Sequence, residues 1–151
     1  MRYAGADEKL GRADFRLINS DNEMGIDVLD PHSKDDVLPL QMHLPKNREI
    51  RIVLRSKDVI HSFFIPQFRM KMDAVPGMTT EMHFIPTTTT NEMRAKLNNP
   101  NFDYEVACAE LCGRMHFGMK MILIVDEPAV FEKWYHAQQS WTHELAAANT
   151  K

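Results

Sequence analysis

Along most of this chain, apolar and polar residues alternate in short runs separated by breaks rich in Gly, Pro, Asn and Asp. In "EIRIVLRS", Ile50, Ile52 and Leu54 face one way and Arg51, Val53 and Arg55 the other, the period of two that marks a half-buried strand. "VIHSFFI" puts Val59, His61, Phe63 and Ile65 on one face and is ended by Pro66. "VLPLQMHL" is strand material interrupted by Pro39, which has no amide proton for a ladder and so points to a sheet edge. "TTEMHFI", "FDYEVAC" and "MKMILIV" predict further strands, and "DAVPGM" predicts a turn with Pro76-Gly77 at its tip. Residues 1–36 are polar and turn-rich. There "AGADEKLGRADF" reads as a loop between two short strands, punctuated by Gly5 and Gly11, and "NSDNEMGIDVLDPHSKDD" as a second long connection.

Two stretches break the alternation. "TTTTNEMRAKLNNP" predicts a short helix, capped by a Thr or Asn, with Glu92 in its first turn and Asn98-Asn99-Pro100 as its stop. After the last strand, Asp126 is placed to N-cap a final helix with Pro128 in its first turn. Val130, Trp134, Ala137 and Trp141 would form its apolar stripe before it frays into "AAANTK". About seven short strands without βαβ alternation predict an all-β Greek-key sandwich or barrel, with one short inserted helix and one C-terminal helix. The boundaries are a β domain over 1–126, an insertion over about 89–99, and a helical extension over 127–151.

A length of 151 residues suits a domain with a real core. A net charge of −3 and the absence of any Lys/Arg block argue against a nucleic-acid partner, while a mildly acidic surface suits a basic protein partner. The eleven methionines read mainly as gap-filling core residues. No secretory leader follows Met1, and the longest apolar run, near Met121–Val125, falls far short of the ~20 residues of a spanning helix. The expectation is a soluble polypeptide, compatible with being a fragment of something anchored elsewhere.

The two cysteines change the picture. Both lie in "CAELCGRMHFGM", residues 108–119, with His116 and Met119 close behind. In an extended strand Cys108 and Cys112 would lie ~13 Å apart. Curled into one turn, which Gly113 favours, they converge with His116 and Met119. Four readings compete: a structural turn with buried thiols, a redox dithiol, zinc, or copper. Redox dithiols usually use C-x-x-C, and zinc sites use Cys, His and carboxylate rather than thioether. Thiolate, imidazole and thioether together are the soft set that favours copper. His61, on an otherwise apolar strand face, is the natural distal ligand. One copper needs no second thiolate this close, whereas two coppers could share both as bridges.

"DVIHSFFIPQFRMKMDAVPGM" and "CAELCGRMHFGM" closely resemble the copper domain of cytochrome c oxidase subunit II, and the resemblance runs from about Tyr3 to Val125. It implies a cupredoxin fold and a binuclear mixed-valence CuA centre. Cys108 and Cys112 would bridge the two coppers; His61 and Met119 would complete one, and His116 and the backbone carbonyl of Glu110 the other. It also implies electron transfer from cytochrome c to haem in subunit I, as an oxidoreductase subunit whose isolated domain is a carrier without turnover of its own. In the assembled oxidase the Glu110 side chain would help bind magnesium at the subunit I interface. The parent protein would be anchored in the bacterial inner membrane with this domain on the periplasmic side.

The family's transmembrane hairpin and the tryptophan-rich stretch before "RYAGADEKLG" are missing, so a fragment beginning at an introduced Met1 is expected. Trp134 and Trp141 read as part of the last helix's stripe rather than as replacements for the usual electron-entry residue. Met115, Met121 and His83 match no ligand position and are assigned to packing; His32, His43, His136 and His143 are assigned to the surface. The alternatives are the CuA domain of nitrous oxide reductase, which has similar spacing, and a copper chaperone or storage module.

Overall fold

Each alternating run beyond Gln41 finds a partner strand. The computed structural model describes residues 1–141; the expected fraying end of the last helix and His143 lie outside the described residues. The strands are β1 (Met42–Pro45), β2 (Ile50–Leu54), β3 (His61–Ile65), β4 (Met70–Ala74), β5 (Thr80–Phe84), β6 (Tyr104–Cys108) and β7 (Lys120–Asp126). They form a five-stranded sheet in the order β1-β7-β6-β3-β4 and a two-stranded sheet of β2 and β5. β1 is an edge strand, as Pro39 predicted, although strand structure begins only at Met42, and it pairs with β7 in parallel. The result is the cupredoxin-like β architecture expected. Among the described residues no helix is long and apolar enough to cross a membrane.

The chain divides into two compact units, one of Gln41–Lys133 and one of Met1–Leu40 with the chain from Trp134 onward. In the first, Met42, Leu44, Ile65, Met82, Tyr104, Val106, Leu123 and Val125 are buried and form the core. Tyr104 meets Phe68 and Phe102 edge-on at ring distances of 5.1 Å each. Its hydroxyl donates to the Thr88 carbonyl at 3.2 Å, so burying the phenol strands no polar group.

Helix α1 (Thr90–Leu97) obeys its sequence signals. Thr89 accepts from the Glu92 N–H at 3.1 Å while Glu92 accepts from the Thr89 N–H at 2.7 Å, a reciprocal capping box. Asn98 closes the helix in the left-handed region at φ 49°. Thr90 adds a tie that the sequence did not announce: its hydroxyl accepts the buried Val125 N–H at 2.9 Å. On that side of β7, pairing with β6 ends at Tyr104–Leu123, so α1 supplies the acceptor that β6 no longer offers.

The second helix corrects two expectations. Asp126 does not cap it. Asp126 ends β7, and its carboxylate takes the His43 Nδ1 at 2.6 Å. Glu127 provides the opening carbonyl instead, accepting from Val130 at 2.9 Å and Phe131 at 3.0 Å, and α2 spans Pro128–His136. The stripe is also different. Val130 is exposed and Ala137 lies beyond the helix, whereas Phe131 is buried. His43, assigned to the surface, is buried beside Asp126. Its neighbours Met42 and Leu44 are buried too, because all four residues of β1 are covered.

In the other unit, the two short strands expected in residues 1–36 reduce to isolated pairs, Tyr3 with Val37 and Ala13 with Ile26. Gly11 serves close approach rather than a turn: a Cβ there would stand 2.0 Å from the Ser33 Oγ. The Gly11 N–H reaches Asp36 Oδ2 at 3.0 Å, and Arg2 lies 3.5 Å from the same oxygen. Burial pushes the Asp36 carboxyl up, against the Gly11 N–H and the Arg2 charge. Trp134 packs edge-on against Tyr3 at 5.8 Å, and Trp141 is buried, its N–H donating to the Asp36 carbonyl at 2.9 Å. His32 pairs with Asp7, and His136 is exposed.

Thr90→Val keeps the shape of the side chain and leaves the Val125 N–H buried without an acceptor. A loss of about 1–3 kcal/mol is expected, read as a lower denaturant midpoint at unchanged slope.

Candidate metal centre

Backbone pairing builds the site. β3 and β6 run antiparallel with Phe63 opposite Cys108 and Phe64 opposite Ala107. The Ala109 N–H donates to the Ser62 carbonyl at 3.0 Å, and the Cys108 N–H to the Met119 carbonyl at 3.1 Å. These bonds tie the start of the cysteine loop to β3 and its two ends to each other. Inside the loop, Gly113 takes φ 128°, which suits glycine alone, and the His116 N–H returns to the Gly113 carbonyl at 3.1 Å. A 3-10 turn over His116–Gly118 then leads into β7.

The structure brings together all six residues singled out by the sequence. The Cys108 and Cys112 sulfurs are 3.6 Å apart. His61 Nδ1 lies 3.8 Å from the Cys108 sulfur, and the Glu110 carbonyl oxygen 3.2 Å from it. His116 Nδ1 is 3.6 Å and the Met119 sulfur 3.3 Å from the Cys112 sulfur. His61, Cys108 and Cys112 have ligand atoms within 4.8 Å of one another, the one such group of His, Cys or carboxylate side chains among the described residues. Both cysteines are free and half-buried.

Electrostatics separates the thiols. For Cys108, burial raises the pKa, but the backbones of Ser62 and Glu110 and then the His61 and His116 rings outweigh it, bringing the thiol to about 6. Cys112 is pushed up by burial and then by its neighbour Cys108. His61 is raised, first by Asp58, against burial and with help from Cys108. Two thiols, two imidazoles and a thioether, with a carbonyl beside them, make a predominantly soft set of side-chain donors, which fits copper. Zinc sites do not use a thioether.

Some assignments do not hold. Met115, assigned to packing, is 69% exposed and stands out of the loop beside exposed Leu111 and Phe117. His83 is exposed too, near Glu49 and Glu81, because it alternates with buried Met82 on β5. Met121 is half-buried in β7. Val59 is exposed because β3 begins only at His61. One residue at the site was missed. Asp58 Oδ1 accepts from the His61 Nε2 at 2.8 Å. The signal was its position three residues before His61 in "DVIHSF".

A two-sheet β domain that gathers soft donors on the loop between its last two strands defines the cupredoxin-like class. The family model for cytochrome c oxidase subunit II, periplasmic domain, matches residues 33–126. An alternative cytochrome c oxidase subunit 2 from Bradyrhizobium diazoefficiens is 37% identical over 143 residues, covering 93% of this chain and 47% of that protein. A cytochrome c oxidase subunit 2 from Thermostichus vulcanus is 38% identical over 100 residues, 66% of this chain and 27% of that protein. The crystal structure of the periplasmic domain of subunit II of cytochrome oxidase from Bradyrhizobium japonicum superposes with a TM-score of 0.54 at 28% identity, covering 71% of this chain and 80% of that one. This chain belongs to the cytochrome c oxidase subunit II family. It spans about half the length of the first of these relatives and about a quarter of the second.

In the reduced, metal-free chain the thiol pair should lose its first proton near 6 and its second above the ordinary cysteine value. Thiolate absorbance followed across pH should show two separated steps, and Cys112→Ser should remove the later one.

Proposed function

We propose that this chain is the electron-transfer domain of a haem–copper oxidase, holding a binuclear CuA centre. The observation that carries this reading is the convergence of five soft or borderline side-chain donors and one backbone carbonyl in a member of the subunit II family. In this reading Cys108 and Cys112 would be shared by the two coppers, with His61 and Met119 as further ligands of one and His116 and the Glu110 carbonyl of the other. When bound, such a pair of metals supplies a single redox unit that spreads one electron over two ions.

The protein's part is to keep the donors still. Three of the six lie in or beside strands, and the loop is stitched to β3 and to its own end by backbone hydrogen bonds. Donors held this way need little rearrangement when the charge changes, which is what fast one-electron transfer requires. No proton carrier is needed there, because an electron carrier makes and breaks no substrate bond.

The donor in this reading is cytochrome c and the acceptor is haem in subunit I, with the parent chain anchored in the inner membrane and this domain on its periplasmic side. Exposed Glu110 would offer its carboxylate to magnesium at the subunit I interface once the oxidase is assembled. We assign the copper domain to 1–126, with 127–151 as an extension and about 89–99 as an insertion. A nitrous oxide reductase domain and a copper shuttle are not favoured, since the relatives reported above are named as oxidase subunits.

Copper analysis and EPR test the reading. Two coppers per chain with a seven-line signal are expected; one copper with a four-line signal would overturn the binuclear centre. Cys112→Ser should abolish the delocalised signal, and Met119→Leu should keep the copper but shift its potential. Slow loss of copper to a chelator is expected of a carrier, whereas rapid loss would favour a shuttle.

A further inference from the structure

Asp58 and the turn "DAVPGM" have no role in the ligand set, yet the structure connects them to it. The His61 ring is held at both nitrogens: Nε2 donates to Asp58 Oδ1 at 2.8 Å, and Nδ1 faces the Cys108 sulfur at 3.8 Å. A neutral imidazole with a carboxylate at one nitrogen keeps its proton there, and the opposite nitrogen retains its lone pair. Only that unprotonated nitrogen can bind a metal.

Asp58 is itself held. Its side chain is 62% exposed, so packing does not fix it. Its N–H donates to the Ser56 hydroxyl oxygen at 3.4 Å, and that hydroxyl donates to the Val59 carbonyl. Ser56 in turn pairs with Pro76, in the turn where Gly77 takes φ 79° and the Met78 N–H donates to the Val75 carbonyl at 3.1 Å. The turn, Ser56, Asp58 and His61 therefore form one connected path ending at the thiols.

We propose that Asp58 is a positioning residue: it fixes the Nε2–H tautomer and the orientation of His61, so that Nδ1 is presented to Cys108 and Cys112, with the Val75–Met78 turn steadying it through Ser56. Its consequence for metal binding rests on the copper reading above; its control of the ring does not.

Two measurements test this, each on the full chain as wild type, Asp58→Ala, Asp58→Asn and Asp58→Glu. The first is the ring-nitrogen NMR shifts of His61 in reduced, metal-free protein at mildly alkaline pH. Wild type should show a protonated Nε2 and a bare Nδ1. Asp58→Ala should give a mixture of tautomers, and Asp58→Asn, which keeps a carbonyl acceptor, should restore most of the preference. The second is copper affinity by competition with a chelator. Asp58→Ala should bind about 10- to 100-fold more weakly, with Asp58→Asn and Asp58→Glu in between.

Wild-type ring shifts in Asp58→Ala would overturn the proposal. So would altered shifts with unchanged copper affinity, because the tautomer would then not govern binding. If wild type took up no copper while its ring still responded to Asp58→Ala, the copper reading would fall and the control of the ring by Asp58 would stand. Should Asp58→Ala fail to fold, Asp58→Asn and Asp58→Glu carry the same comparison with a polar side chain in place.

Discussion

Two cross-strand pairs, Phe63 with Cys108 and Phe64 with Ala107, bring β3 and β6 together at the end of the sheet where the cysteine loop departs. His61 and Cys108 are 47 residues apart in the chain, and this register makes their side chains neighbours. Side chains on a strand alternate between faces, so a slip of one residue would turn His61 or Cys108 to the wrong side. The loop's own hydrogen bonds can gather Cys112, His116 and Met119, but they cannot supply the donor from β3. The buried core, with Ile65 and Leu123 fully covered, is what makes any other register costly.

Within that frame the two sulfurs oppose one another. The Ser62 and Glu110 backbones and the His61 and His116 rings favour the Cys108 thiolate, while burial and then that neighbouring charge, 3.6 Å away, push the Cys112 thiol up. A bound cation would reverse this, since metal ligation holds a thiol in its deprotonated form. Positive charge between the two sulfurs would therefore ease the second deprotonation. The nearby amides and imidazoles already stabilise the first charge.

Much of this could be read from the chain, because it depended on local rules. The strands followed from a period of two in "EIRIVLRS" and "TTEMHFI", and the capping box of α1 from Thr89 and Glu92. The donor loop followed from the spacing of Cys108, Cys112, His116 and Met119, with His61 added by its odd position on an apolar face. What escaped depended on tertiary partners. Asp126 looks like a helix cap until buried His43, 83 residues away, claims its carboxylate. Gly11 looks like a turn residue until Ser33 is found against its α-carbon. Each is settled by a neighbour distant in sequence, which neither periodicity nor propensity can name.

The hydroxyl of Thr90 also bears on what happens outside a single molecule. Past Leu123, one side of β7 has no neighbouring strand, and an unpaired N–H at such a place is an invitation to strand addition by another chain. By seating the first turn of α1 on that N–H, the helix acts as a guard against intermolecular β-pairing. Without α1 the same stretch of β7 would present its N–H groups unpaired.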